Sequence, residues 1–342
     1  MNKSSWVVSP APFLLTRPTV SRIIWISMAT LIPHLIMLMA DGDWKALLVI
    51  LVSTIGALSS QAIVDLRMHR EPIQYPSLLL YGILTGFLLP STIHPIIAFG
   101  TCFIGFFITR IVYGSPLASW IHPVATSIAL AFISQPSLFP SNLVTPDSVR
   151  AVGDAFRALK IDQFSLLPID QGITTVINTY ILSPFRIVLP DGYITLFWHS
   201  PSTIPAFRYN IFTLGASIVL LSLRIIDWLL PFFFLLTYSL LVYCNSLMPF
   251  SLSPSGGDIL FACLTGGILF IAFYILPEYG TLPRTRTGKA VSGILAGIIA
   301  FALCGPGGTP AGAIFTVLLI NCINPVIEYI ENRSIASAGD FA

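Results

Sequence analysis

Residues 264–280 read Leu-Thr-Gly-Gly-Ile-Leu-Phe-Ile-Ala-Phe-Tyr-Ile-Leu-Pro-Glu-Tyr-Gly, an apolar run that two glycines interrupt and that ends at Pro277 and Glu278. A long apolar run predicts a membrane-spanning helix, but glycine, proline and a carboxylate do not suit an uninterrupted one. Backbone that leaves the helical conformation at membrane depth survives only where protein or a cavity satisfies its polar groups. The stretch therefore predicts a membrane pathway rather than a simple anchor.

The composition of the whole chain also predicts a membrane protein. Of its 342 residues, 55% are hydrophobic and only 9% are charged, and the mean hydropathy is +0.85. A soluble domain carries about 25% charged residues. The sequence therefore predicts an all-α integral membrane protein. The five cysteines lie in or beside apolar runs without metal-ligand spacing, so we expect buried small residues rather than disulfides or iron–sulfur ligands. The sequence has no nucleotide-binding glycine motif and no Ser/His/Asp nucleophile pattern.

Stretches of about 20 apolar residues, or fewer where a helix is broken, mark the candidate membrane spans. The third stretch is too short to cross a membrane fully, which predicts a half-helix. The ten candidates lie at about residues 21–40, 45–65, 76–90, 94–113, 118–138, 210–226, 227–249, 257–277, 289–305 and 309–330. They divide the chain into a first membrane repeat (1–138), an outer cap (139–209) and a second membrane repeat (210–342).

The distribution of lysine and arginine predicts how the spans are oriented. If the N-terminus is inside, the short inner loops hold most of these residues, as the positive-inside rule requires. The outer ones fall mainly within the long segment 139–209, where the rule is weak. We therefore expect both termini in the cytoplasm and the cap, with short helices lying on the bilayer, outside.

The two halves of the chain share an order of interrupting residues. Leu84-Thr85-Gly86 and Pro90 in the first half correspond to residues 264–267 and Pro277 in the second. Five spans in each half make equivalent spans run in opposite directions, which predicts two inverted five-helix repeats with broken half-helices. Such paired segments mark the site in many transporters, although glycine and proline are also simply common in membrane helices. The predicted ion path comprises Thr85, Gly86, Pro90, Thr265, Gly266, Gly267 and Glu278.

Glu278 is the foremost of the few ionisable residues near the interrupted spans. Charge inside a membrane is costly, so this carboxylate is a candidate for coordinating a cation or relaying a proton. The alternative is a carboxylate at the membrane surface that pairs with Arg284 or Arg286. Asp258 is expected to be an interfacial residue or a helix cap. Three histidines near prolines are more often packing residues than redox or proton-carrying groups, and these are His34, His94 and His122.

Several motifs together resemble one family of membrane proteins. They include residues 81–86 (Tyr-Gly-Ile-Leu-Thr-Gly), His122-Pro123, residues 307–315 (Gly-Gly-Thr-Pro-Ala-Gly-Ala-Ile-Phe) and Asn324-Pro325. Over nearly its whole length, the chain is similar to the RnfD component of Rnf-type ion-translocating ferredoxin:NAD oxidoreductases. That component is in turn similar to NqrB of the sodium-translocating NADH:quinone reductases. The resemblance implies a bacterial inner (cytoplasmic) membrane, a periplasmic cap, and other membrane, iron–sulfur and flavin subunits as partners.

The same resemblance implies FMN held as a phosphoester on a threonine of the outer cap. The equivalent stretch supplies the candidate flavin-binding residues Asp170, Gly172, Thr174 and Thr175. Gln171 is an insertion relative to the family's motif, and the acceptor position becomes Ile177, which has no hydroxyl for a phosphoester. We therefore expect either that Thr174, Thr175 or Thr179 substitutes for it or that covalent attachment is lost.

These observations favour a membrane subunit of an Rnf-type complex, in which electrons pass between ferredoxin and NAD while Na⁺ or H⁺ crosses the membrane. Such a chain is part of a redox-driven ion translocase rather than an enzyme on its own, and no nucleic acid or bound metal is expected. The alternative is a non-redox transporter or channel for a small solute, which inverted repeats would serve equally well. A third hypothesis is a scaffold that has lost flavin and holds an outer flavoprotein subunit in place.

Overall fold

The computed structural model describes residues 19–68, 75–113, 121–140, 166–186, 188–247, 258–278, 280–305 and 310–339. Regular secondary structure within these ranges is helical throughout, which confirms the predicted all-α class. Residues 307–309 of one family-like motif lie outside the described residues, as does most of the first half of the predicted cap.

Two groups of helices form most of the described structure. The first bundle consists of α1 (Val20–Ala40), α2 (Trp44–Met68), α3 (Tyr75–Leu88), α4 (Pro95–Tyr113) and α5 (Pro123–Ser134). Between the bundles, the described part of the cap contains α6 (Asp170–Ile177), which continues as a π-helical turn (Asn178–Leu182), and α7 (Tyr193–Trp198). The second bundle consists of α8 (Asn210–Ser222), α9 (Leu229–Ser246), α10 (Ile259–Thr265), α11 (Ile268–Phe270), α12 (Arg286–Cys304) and α13 (Pro310–Gly339).

The helices have the length and surface of a multi-pass membrane protein. Among the described residues, four segments are long and apolar enough to cross a membrane, namely α1, Trp44–Ile63, α12 and Ala311–Arg333. Helices α3, α4, α5, α8 and α9 are shorter apolar helices. Large apolar side chains also remain exposed on these helices, among them Trp25, Leu51 and Leu240. Helices that are apolar on all sides suit lipid rather than water as their surroundings.

The helices of each bundle contact one another in a similar order along the chain. In the first bundle, α2 contacts α3 and α4, and α4 contacts α5. In the second bundle, α9 contacts α10 and α12, and α12 contacts α13. The bundles meet where α1 contacts α8 and where α5 contacts α13. We call this meeting surface, together with α3 and the segment Ile268–Glu278 that lie beside it, the seam.

Helix α3 is short because of the residues that follow it. Its 14 residues span about 21 Å, less than the roughly 30 Å of a bilayer's hydrocarbon core, which agrees with the predicted half-helix. Pro90 cannot continue the helix, and the next residue, Ser91, donates its backbone N–H to the carbonyl of Thr203 at 2.9 Å. The end of α3 is therefore buried against the chain that leads into α8 rather than exposed to lipid.

The second interruption, at 265–267, is also enclosed by protein. Gly267 has a φ of +69°, a left-handed conformation that favours glycine, and the ring of Phe207 lies where a Cβ would be. The amide of Asn210 donates to the carbonyl of Leu264 at 2.9 Å, which satisfies an acceptor that the end of α10 exposes. After the break, α11 leads into a π-helical segment, Ile271–Ile275, and every residue from 264 to 277 is buried.

Candidate functional site

Glu278 lies in the seam, shortly after the π-helical segment. Its Oε1 accepts a hydrogen bond of 2.5 Å from the phenol of Tyr81 on α3, and its Oε2 lies 3.9 Å from Nε2 of His122. The carboxylate thus contacts two residues of the first bundle, and its side chain is only 19% exposed. The partners of Glu278 in the structure are therefore Tyr81 and His122, whereas the alternative prediction paired a surface carboxylate with Arg284 or Arg286.

His122 is fully buried at the point where α5 begins. Pro123 occupies the first turn of α5, where its missing N–H costs no hydrogen bond, and His122 is the capping residue in front of it. Its ring meets the Tyr81 ring edge-on, with 5.9 Å between the ring centres. Neither ring nitrogen makes a hydrogen bond within the described part of the chain. The histidine therefore places a buried base beside Glu278 and Tyr81.

A cavity of about 270 Å³ opens next to Glu278. Its walls come from α1, α3, the end of α8 and the π-helical segment. Most lining side chains are apolar, and the polar ones are Ser27, Tyr81, Tyr274 and Glu278. The first turns of α1, from Val20 onward, line it too, so in the predicted orientation the cavity faces the cytoplasmic side.

Further polar contacts join the two bundles above the cavity. The phenol of Tyr274 donates to Thr30 on α1 at 3.0 Å, and Nε2 of His34 lies 3.1 Å from the hydroxyl of Thr213. His34 is fully buried among four aromatic rings, so it is a packing residue, in agreement with the more common of its two predicted roles. These two contacts pair polar side chains of α1 with polar side chains of the second bundle across the seam.

The structure separates the predicted ion-path residues into several places. Gly86 faces α2, since a Cβ on it would lie 2.4 Å from the Cα of Ile50, and Thr85 donates to the carbonyl of Tyr81 at 2.8 Å. Pro90 lies at the buried end of α3. The residues 265–267 (Thr265, Gly266 and Gly267) form the second interruption. Glu278 is the member of this set that faces titratable side chains across the seam.

Tyr81 is a site residue that the sequence did not single out. It lies one turn before Thr85 on the same face of α3, and this i, i+4 spacing is a signal that could have found it. His122 is among the three histidines near prolines, but its partner was not predictable, because the contact joins residues far apart in the chain. Asp258 caps α10 by accepting from the N–H of Phe261 at 3.0 Å, which confirms its predicted role as a helix cap.

Asp170, the first of the candidate flavin residues, makes its hydrogen bonds to other residues of the cap. It is fully buried, and it accepts hydrogen bonds from the N–H of Gly192 at 2.7 Å and from the N–H and hydroxyl of Thr195 at 2.6 and 2.5 Å. Burial alone would raise the pKa of Asp170, but these hydrogen bonds outweigh it, and the pKa lies below the ordinary value. Asp170 therefore ties α6 to α7.

At the position that the resemblance implies for the flavin phosphoester, α6 has Ile177 rather than a threonine. Thr174 is buried and donates to Asp170 at 3.3 Å, while Ile177 has no hydroxyl. Thr175 and Thr179 are exposed, and each donates to the carbonyl four residues earlier. The last candidate, Gly172, is exposed and open to solvent. The buried carboxylate of Asp170 and Thr174 bond to each other inside the cap, whereas the hydroxyl of Thr175 lies on the exposed face of α6.

Apolar helices with two enclosed interruptions and a mostly buried carboxylate between the bundles define a multi-pass membrane protein with the features of a transport or translocation subunit. A profile of the NQR2, RnfD, RnfE family matches residues 7–336, and the chain belongs to that family.

Relatives from the ion-translocating oxidoreductase complex, each described as its D component, match almost end to end. The chain is 25% identical over 351 residues to the relative from Aeromonas salmonicida, with 97% of this chain and 98% of that protein covered. It is 26% identical over 341 residues to the relative from Psychromonas ingrahamii, covering 93% and 95% of the two chains. It is 24% identical over 350 residues to the relative from Escherichia fergusonii, covering 94% and 96%.

Proposed function

We propose that this chain is the RnfD-type membrane component of an ion-translocating oxidoreductase complex in a bacterial inner membrane, with both termini in the cytoplasm. The observation that carries the proposal is the match over nearly the full length of relatives with that name. The complex would pass electrons between ferredoxin and NAD while an ion crosses the membrane. The chain would act beside other membrane, iron–sulfur and flavin subunits rather than as an enzyme on its own.

We infer that the first and second bundles are inverted repeats of five spans each, the broken α10–α11 stretch forming one span. The equivalent contacts support this: α2 with α3 and α4 corresponds to α9 with α10 and α12. A shared hydrogen-bond pattern near the two interruptions also supports the inverted repeats. Thr85 donates to the carbonyl of residue 81, and Thr265 donates to that of residue 261, each four residues back. This arrangement gives the boundaries 1–138, 139–209 and 210–342 for the repeats and the periplasmic cap.

The ion path is assigned to the seam, with Glu278 as the residue that meets the ion. Interrupted helices present the partial charges of their ends inside the membrane, and a carboxylate there can carry the charge that a moving ion requires. The Glu278→Gln variant should lower ion transport in membrane vesicles much more than it lowers assembly of the complex. Glu328→Gln, the same chemical change on α13 away from this cavity, is the matched control. Normal transport by Glu278→Gln would remove Glu278 from the path.

The cap is proposed to lack a covalently attached flavin. The position implied for the flavin phosphoester is Ile177, which has no hydroxyl, and Thr174 is already hydrogen-bonded to Asp170. A fluorescence scan of the purified chain on a denaturing gel tests this. The gel should show no flavin band. A fluorescent band that Thr175→Val or Thr179→Val abolishes would contradict the proposal and locate the attachment.

Purification of the tagged chain from its native membrane tests membership of the complex. Iron–sulfur and flavin subunits should copurify, and the preparation should catalyse electron transfer between ferredoxin and NAD. Purification of the chain alone, from a membrane whose ferredoxin:NAD activity survives deletion of its gene, would favour the non-redox transporter instead.

A further inference from the structure

We propose that the ion handled at this seam is a proton, that Glu278 and His122 form the relay that carries it, and that Tyr81 positions the carboxyl group of Glu278. This inference rests on the proposed function, because it names the ion that the seam would move. It adds Tyr81 and His122 to the predicted ion path, of which Glu278 was the one ionisable member.

The first support is the set of atoms around the carboxylate. One oxygen of Glu278 accepts from the Tyr81 phenol at 2.5 Å, and the other faces Nε2 of His122 at 3.9 Å. A hard cation is held by several oxygen ligands, from carboxylates, carbonyls and water. Transfer of a proton needs only one donor and one acceptor, and the carboxyl group of Glu278 and the imidazole nitrogen of His122 can take these two roles.

The second support is the cavity. Among its lining residues, only Ser27, Tyr81, Tyr274 and Glu278 have polar side chains, and the phenol of Tyr274 is already bonded to Thr30. Its volume of about 270 Å³ could hold several water molecules at roughly 30 Å³ each. These few oxygens can hold water that delivers a proton, but they do not surround a point with the ligands of a metal cation.

The third support is the state of His122. This side chain is completely buried, and neither of its ring nitrogens makes a hydrogen bond with the described residues. A buried polar group without a partner is costly, so its persistence calls for an explanation. A base that must be able to receive a proton provides one. The titratable groups that face Glu278 or share its cavity in the described structure are Tyr81 from α3, His122 before α5 and Tyr274 from the π-helical segment.

The transfer itself is a simple exchange of one proton. A hydronium ion in the water of the cavity gives its proton to Glu278 and becomes water. The O–H bond of the acid then breaks as an N–H bond forms at Nε2 of His122, so that a carboxylate and an imidazolium result. Tyr81 keeps its own proton and holds the carboxyl group in place. The present 3.9 Å separation must shorten by about 1 Å or be bridged by one water, as is common for catalytic hydrogen bonds before the reacting state. No electrons move in this step.

The ion is identified with the wild-type complex in sealed vesicles, so the result does not depend on a variant. Electron transfer should acidify the interior in sodium-free buffer, and a protonophore should abolish the signal. The opposite result has two parts: the vesicles take up radioactive sodium even with the protonophore, and they do not acidify in sodium-free buffer. That result would overturn the relay but leave the proposed function standing. Electron transfer that moves neither ion would overturn both.

The relay residue is tested with two histidine variants. His122→Asn should lower the rate of acidification at least about tenfold while the complex assembles normally. His94→Asn is the control, because His94 also precedes a proline but is exposed and lines a different cavity, at the start of α4. Unchanged acidification by an assembled His122→Asn complex would overturn the role of His122.

Discussion

At the scale of single residues, the buried carboxylate of Asp170 and the mostly buried carboxylate of Glu278 have different surroundings. Asp170 accepts three hydrogen bonds of 2.7 Å or less, whereas Glu278 accepts one and faces a histidine at 3.9 Å. A carboxylate surrounded by donors is held in its charged form, which suits a structural role. A carboxylate with one donor and one base beside it can change its protonation, which suits transport.

Replacing Asp170 with alanine should loosen the cap. The substitution leaves the N–H groups of Gly192 and Thr195 buried without an acceptor, and we expect a loss of about 2 to 3 kcal/mol in local stability. Hydrogen exchange of residues 166–198 measures the effect. Asp191→Ala, in the neighbouring turn, is the control and should change little. Equal protection in the Asp170→Ala and wild-type caps would show that Asp170 does not tie α6 to α7.

The same carboxylate makes the cap sensitive to acid. The pKa of folded Asp170 is lower than the ordinary aspartate value of about 3.9 because of its hydrogen bonds. Its contribution to stability is therefore fully present above that value and is lost as the pH falls through the lower, folded-state value. The protection factors of the cap amides, which are taken relative to the intrinsic exchange rate at each pH, should fall in acid over this range, and Asp170→Ala should remove that dependence.

The sequence predicted the residues of the site better than their partners. An acid at the end of an interrupted apolar run could be found by inspection, because membrane spans contain few charges. Its contact with Tyr81 joins residues that are 197 positions apart, and no local pattern encodes such a distance. Asp170 and Thr174 were likewise predicted as cofactor residues by resemblance, whereas their hydrogen bond with each other is visible only in the folded cap.

At the scale of elements, the interruptions were predictable because glycine and proline act locally. The short α3 and the break at 265–267 follow from residues within those segments. The groups that enclose the break, Phe207 and Asn210, come from the chain around the start of α8 and were not predictable from the segment itself. The π-helical turn that precedes Glu278 was not predicted either, since it adds one residue to a turn without a distinctive composition.

Gly86 should be essential for the contact between α3 and α2. A Cβ at this position would lie 2.4 Å from both the Cα of Ile50 and the hydroxyl oxygen of Ser53. Gly86→Ala should therefore destabilise the protein by about 1 to 3 kcal/mol, through overpacking. Gly100→Ala on α4, where a Cβ meets nothing within 4 Å, is the control and should be neutral or slightly stabilising. Thermal unfolding in detergent compares the two, and equal midpoints would contradict the close packing.

At the scale of the whole molecule, the bundles are joined at both ends of the seam. Tyr81 and Glu278 connect them beside the cavity. Near the predicted outer surface, the two residues that lead directly into α8 contact the loop between α1 and α2: Arg208 donates to Asp43 at 2.6 Å, and Tyr209 donates to Asp41. The polar contacts at both ends fix the register of the bundles, so that apolar packing alone does not have to specify it.

The Arg208–Asp43 pair offers a measure of how strongly the bundles are coupled. Both side chains are mostly buried, at 13% and 20% exposure, and the pKa of Asp43 lies below its ordinary value, because hydrogen bonds and the charge of Arg208 outweigh burial. A double-mutant cycle with Asp43→Ala and Arg208→Ala should give a coupling of about 1 to 2 kcal/mol at neutral pH. Additive effects of the two changes on thermal unfolding would mean that this contact does not join the bundles.

Modification of Glu278 by a hydrophobic carbodiimide tests the central claim most directly, since it acts on the wild-type complex. The reagent attacks protonated carboxyl groups in apolar surroundings, and mass spectrometry of the peptide measures the modified fraction at Glu278. Ion transport, assayed in the same vesicles, should fall in proportion to that fraction while the electron-transfer subunits stay assembled. Full transport by a complex in which Glu278 is completely modified would contradict the assignment of the ion path to the seam.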